Sequence, residues 1–188
     1  MNTIKTTDII GIAGTFASGK DTIAHKLVED FGYTHVSGGD MIREIAMKER
    51  GSIERPVLHE VADHYRQTYG ADVFVKMQLE KPRPTVISGL RTLGEAKAVL
   101  AAGGTLLFID APIETRYERV ISRNRDKETE LTLEQFKANE EIELYAGAKD
   151  EDFNIRGIKD LADVVVENTL PLDEFVELTY KKLGLEKQ

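Results

Sequence analysis

Gly14-Thr15-Phe16-Ala17-Ser18-Gly19-Lys20, followed by Asp21 and Thr22, decides the fold of this chain. It follows the pattern G-x-x-x-x-G-K-[ST], except that Asp21 stands where a hydroxyl residue is usual. The apolar run Ile9-Ile10-Gly11-Ile12-Ala13 before it predicts a buried strand. After it, Ile23, Leu27 and Phe31, spaced by four, predict a helix that Gly32 ends. Strand, glycine loop and helix in that order are the setting of a phosphate-binding loop. Glycines let backbone N–H groups close on phosphate oxygens, the helix N-terminus adds partial positive charge, and Lys20 reaches the outer phosphates. The candidate nucleotide-binding residues are Gly14, Thr15, Ala17, Ser18, Gly19, Lys20, Asp21 and Thr22.

Asp21 raises the question of the metal. The usual hydroxyl at this position contacts the magnesium that accompanies a nucleoside triphosphate. A carboxylate is also a hard oxygen ligand. In such folds an acidic residue near the end of the third strand usually completes the shell, but Val86-Ile87-Ser88-Gly89-Leu90-Arg91 carries none. Asp21 and Ser88 are therefore the candidate magnesium ligands, with carboxylate and hydroxyl exchanged. The alternative is that Asp21 caps the helix N-terminus, a role that can coexist with a metal contact.

Outward from the loop, strands and helices alternate. Strands are expected at Thr34–Ser37, Val86-Ile87, Thr105–Ile109 and Val164–Val166. Helices are expected from Gly38 to Arg50, Val57 to Tyr69, Ala71 to Lys81, Thr92 to Leu100, Ile113 to Arg123, Thr132 to Tyr145 and Leu172 to Leu183. Thr92-Leu93-Gly94-Glu95 and Thr132-Leu133-Glu134-Gln135 have capping-box spacing. Residues 124–130 read as a polar turn, and residues 147–159 as irregular. Alternation of this kind predicts a parallel sheet covered on both faces. The expected fold is α/β: a three-layer α/β/α P-loop NTPase with a five-stranded parallel sheet, in a single domain over residues 1–188. Helical segments at about 40–80 and 113–150 cap the site, the first for an acceptor and the second as a lid.

Several segments resemble the nucleoside monophosphate kinase group of P-loop kinases. Gly19-Lys20-Asp21-Thr22 resembles the phage-type deoxynucleoside monophosphate kinases, and phosphomevalonate kinases carry a similar variant. Val36-Ser37-Gly38-Gly39-Asp40-Met41-Ile42-Arg43 is similar to the adenylate-kinase segment that ends in an acceptor-phosphate arginine. Tyr69 to Val75, and Ile87 to Arg91 with Glu95, are similar to stretches of the deoxynucleotide kinases. Arg119-Val120-Ile121-Ser122-Arg123 resembles the lid entry of dephospho-coenzyme A kinases. The chain also resembles an archaeal group of dephospho-coenzyme A kinase-like or nucleotide kinase-like proteins in nearly the whole order of segments. The His-Pro motif of bacterial dephospho-coenzyme A kinases is missing.

The resemblance implies ATP as donor, magnesium as cofactor and a small phosphorylated acceptor. It makes Lys20, Arg91, Arg119 and Arg123 the candidate catalytic residues, and Arg43, Arg91, Arg66 and Arg125 the candidate acceptor ligands. Asn168, after the last strand, is placed near the donor's adenine. Arg43 and Arg91 are otherwise ion-pair partners for surface acids. Arg116, Arg119 and Arg123 share one helical face, either basic lining for a lid or a solvated face paired with Glu114 and Glu118. Asp40 is a general base if the acceptor is a hydroxyl, as on dephospho-coenzyme A, and a helix cap if it is a phosphate. The histidines carry no metal spacing, and Glu140-Glu141-Ile142-Glu143 reads as a solvated helix face. A regulatory protein that hydrolyses ATP slowly is the rival outside the kinases.

Composition narrows the partners. The chain has 188 residues, no cysteine and a net charge of −8, with 41% hydrophobic and 31% charged residues. That balance argues against a nucleic-acid polymer as partner. No apolar run reaches the ~20 residues of a membrane span. Met1 to Lys5 has no signal-peptide character, so a cytoplasmic location is the expectation, with the chain a monomer or homodimer.

Overall fold

The strand Ile9–Gly14 (β1) is buried along its whole length, because it lies between two neighbours in a sheet covered on both faces. The computed structural model describes residues 8–123, 131–147 and 149–187. Side chains alternate across β1. Ile10 and Ile12 enter one core with Ile23, Leu27, Phe175 and Tyr180. Ile9 and Ala13 enter the other with Val99, Phe108, Ile155 and Ile158. Gly11 has no room for a side chain, since an added Cβ would stand 2.8 Å from Val99.

The elements follow in the order β1, α1 (Lys20–Phe31), β2 (Thr34–Ser37), α2 (Gly38–Arg50), α3 (Arg55–Tyr69), α4 (Val73–Leu79) and β3 (Thr85–Leu90). Then come α5 (Leu93–Ala101), β4 (Thr105–Asp110), α6 (Ile113–Arg123), α7 (Leu133–Leu144), α8 (Ile155–Leu161), β5 (Val164–Glu167) and α9 (Leu172–Leu183). The five strands form one sheet in the order β2-β3-β1-β4-β5, and every pairing is parallel. The expected α/β/α architecture is therefore the observed one.

This strand order places the site. The chain leaves β1 toward β2 and β3 on one side, then crosses to β4 and β5 on the other. Such a reversal opens a crevice at the carboxyl ends of the strands. The loop after β1 lies in it, flanked by the end of β3 on one side and the end of β4 on the other.

One element departs from the sequence reading. Residues 155–161, expected to be irregular, form α8. Asn154 caps it, its Oδ1 accepting from the Gly157 N–H at 2.8 Å. A seven-residue helix with a glycine inside and only Ile155 and Ile158 buried leaves almost no periodic signal. The expected polar turn at 124–130 lies outside the described residues.

Leu107 in β4 is fully buried, whereas Val165 on the edge strand β5 is 38% exposed. Leu107→Ala is expected to cost about 2–5 kcal/mol, and Val165→Ala under about 1 kcal/mol, as read from urea unfolding midpoints.

Candidate active site

The loop from Thr15 to Ser18 turns its carbonyls outward, and every one of them meets a donor. Thr15 O accepts from Lys20 Nζ at 3.3 Å, and Phe16 O from Arg116 at 3.3 Å. Arg119 donates to Ala17 O and Ser18 O, each at 3.3 Å. The Asn168 amide donates to Ser18 O at 2.8 Å. Arg119 also reaches Asn168 O at 3.3 Å, so α6 and the end of β5 grip the loop together. Gly19 begins α1 in the left-handed region, with φ 101°, and an added Cβ would meet the Asn168 amide nitrogen at 2.5 Å. The Ser18 hydroxyl is buried and finds no hydrogen-bond partner among the described residues.

Asp110, at the end of β4, is a site residue that the sequence reading passed over. Its carboxylate accepts from Thr15 Oγ1 at 2.8 Å, from the Ala111 N–H at 2.9 Å and from Lys159 Nζ at 2.7 Å. Burial alone would raise this carboxyl, but the hydrogen bonds from Lys159 and Thr15 and the Lys159 charge hold it below its ordinary value. A carboxylate directly after the apolar run Thr105–Ile109 was the available signal. Lys159 had none, because α8 was not foreseen.

On the opposite side of the loop, Arg91 follows β3. A cleft takes one wall from Gly14, Thr15, Phe16 and Lys20 and another from Gly89, Leu90 and Arg91. Glu140 and Leu144 of α7 and Ile155 of α8 close it. The structure thus brings Lys20 and Arg91 to one cavity.

Ser88 is buried, and its hydroxyl shares a 2.8 Å hydrogen bond with His35 Nε2. His35 in turn meets the His25 ring edge-on at 5.8 Å. These two histidines lie beside β3 at the edge of the site. Burial first, then the charge of His25, lowers the His35 imidazole, while Asp21 and Asp40 oppose the shift. Asp21 and Thr22 occupy the first turn of α1, and Asp21 is exposed.

The arginines separate into distinct roles. Arg43 and Asp40 pair with each other at 2.5 Å at the exposed head of α2. Arg123 is exposed at the end of α6, and Arg125 lies outside the described residues. Arg119 is half-buried, and burial, then the charges of Arg123 and Arg116, lower its guanidinium.

Two expectations need correction. Arg66 does not line the cleft that Lys20 and Arg91 share. It is buried and pairs with Glu95 at 3.0 Å, because the capping-box carboxylate is itself buried and needs a counterion. Arg116 is not part of an open basic face, and Glu140 is not solvated. The two side chains are buried against each other in a bidentate pair that joins α6 to α7, while Arg119 stays on the loop carbonyls and Arg123 is exposed.

Residues 13–137 match a family model described as an AAA domain. A UPF0200/UPF0201 protein of Archaeoglobus fulgidus is 28% identical over 179 residues, which cover 90% of this chain and 53% of that protein. The chain thus spans about half the length of that relative. A cytidylate kinase of Natronomonas pharaonis is 32% identical over 157 residues, 82% of this chain and 79% of that protein. The crystal structure of shikimate kinase from Aquifex aeolicus superposes with a TM-score of 0.61 at 23% identity, over 94% of this chain and 96% of that one. At that identity the likeness is one of fold.

A carboxyl held below its ordinary 3.8 contributes stability in full above that value and loses it as pH falls through the folded value. Asp110→Asn is therefore expected to flatten the acid limb of stability below about pH 4, measured as urea midpoint against pH.

Proposed function

The chain belongs to this AAA-domain family of P-loop kinases, and we propose that it transfers the γ-phosphate of ATP to a nucleoside or deoxynucleoside monophosphate. The observation that carries this reading is the shared cleft between Lys20 and Arg91. A donor phosphate on the loop and an acceptor phosphate on Arg91 would lie side by side in it. Phosphoryl transfer asks the protein mainly for positioning and charge stabilisation, and cations at both ends of the cleft supply those. The cytidylate kinase of Natronomonas pharaonis supports the nucleotide class of acceptor.

Each residue then has a task. The loop amides and Lys20 hold the β- and γ-phosphates. Arg119 and Asn168 hold the loop's carbonyls and border the adenine. Arg91 clamps the acceptor phosphate, and Arg43 joins it by exchanging Asp40 for the ligand, a small cost for an exposed pair. An acceptor phosphate is already nucleophilic, so Asp40 is not required as a base. The segments at about 40–80 and 113–150 serve as the acceptor-binding part and the lid, with Arg123 at the end of α6.

The donor set fits magnesium. Among the described residues no three His, Asp or Glu side chains gather to hold a metal by themselves. Ser88 hydrogen-bonds His35, whose charge the Asp21 carboxylate favours through space, and the Ser88 oxygen keeps a lone pair beyond its bond to that ring. One carboxylate and one hydroxyl, completed by phosphate oxygens and water, suit this cation. When bound, magnesium neutralises charge on the phosphate oxygens.

A coupled ADP-release assay across ribo- and deoxynucleoside monophosphates and dephospho-coenzyme A tests the reading. Stimulation by at least one monophosphate is expected. Slow ATP hydrolysis indifferent to every acceptor, or stimulation by dephospho-coenzyme A alone, would overturn it. Lys20→Met is expected to lower kcat by about 10²–10³. Arg91→Ala is expected to raise the acceptor KM about 10- to 100-fold while leaving the ATP KM near its starting value.

A further inference from the structure

The acceptor arginine is held from two sides. Its backbone N–H donates to Glu95 Oε2 at 2.8 Å, and its carbonyl accepts from the Asn154 N–H at 2.9 Å. The next residue, Thr92, forms an isolated antiparallel bridge with Phe153. Glu95 uses its other oxygen on Arg66, and both of those side chains are buried. One aromatic ring serves both guanidiniums. Arg91 lies 5.5 Å from the Phe153 ring centroid and Arg66 lies 5.7 Å from it. His59 approaches the same ring at 6.3 Å.

Glu95 neutralises Arg66, and the negative face of the Phe153 ring attracts Arg91 as well. A long arginine left to itself would give up rotamer freedom when a phosphate binds. An arginine already resting on a ring and anchored at both backbone groups gives up less.

We propose that Phe153 is a positioning residue for the acceptor phosphate: its ring, backed by the buried Arg66–Glu95 pair, fixes the Arg91 guanidinium before the acceptor arrives. This rests on the reading of Arg91 as the acceptor clamp. It gives the segment between α7 and α8 a part in the reaction. Arg66 then acts on the acceptor only through Glu95 and Arg91.

The test is steady-state kinetics with CMP and AMP as acceptors, on the whole chain. Phe153→Leu keeps the apolar bulk and removes the ring face. It is expected to raise the acceptor KM about three- to tenfold, with kcat at saturating acceptor, the ATP KM and the melting temperature little changed. Phe153→Tyr is expected to restore the acceptor KM. Should Arg91→Ala raise the acceptor KM while Phe153→Leu leaves it alone, the positioning role is wrong and the clamp stands. If Arg91→Ala itself leaves the acceptor KM unchanged, the clamp reading fails and the inference falls with it. A Phe153→Leu variant that loses kcat, ATP affinity and thermal stability together would show a merely structural ring, as would failure of Phe153→Tyr to rescue.

Discussion

The structure depends on how the phosphate loop disposes of its carbonyl groups. A backbone curled tightly enough to aim its N–H groups at an anion must turn its carbonyls the other way. Left without donors in a buried place, each would cost about 1–3 kcal/mol. Here Lys20, Arg116, Arg119 and Asn168 meet the carbonyls of Thr15 to Ser18 one after another. Two of these donors come from α6 and one from the end of β5, a hundred and more residues along the chain from the loop. The shape of the loop is therefore tied to the far half of the sheet and its helices.

The position of β1 between β3 and β4 divides the chemistry of the site. On the β4 side, Asp110 ties Thr15 to Lys159 and fixes the root of the loop. On the β3 side lie Ser88 with His35 and, just past the strand's end, Arg91. The chain carries a net charge of −8, yet cations converge on this crevice. A polyanion therefore meets local attraction on a protein that repels it elsewhere.

Much of this was legible in the sequence, for physical reasons. Strands buried on both faces, such as Ile9–Gly14 and Thr105–Asp110, read as unbroken apolar runs. The loop announces itself because few residues other than glycine tolerate its backbone. The capping boxes at Thr92 and Thr132 are local patterns, and both are present. What escaped was long-range pairing. Nothing near Arg116 says that its partner is Glu140 rather than Glu114, and nothing near Arg66 points to Glu95. His35 and Ser88 are 53 residues apart and meet only because β2 and β3 are neighbours. Phe153 was hidden in a polar stretch without periodicity, and α8 with it.

The central claim is that one cleft presents the phosphate of ATP to a second phosphate held at Arg91. Following the phosphorus by ³¹P NMR, with ATP and a nucleoside monophosphate present together, tests it most directly. The account predicts that the nucleoside monophosphate resonance gives way to the paired resonances of a nucleoside diphosphate as ADP appears. Inorganic phosphate as the sole product, or a new phosphate ester on a sugar hydroxyl, would contradict it.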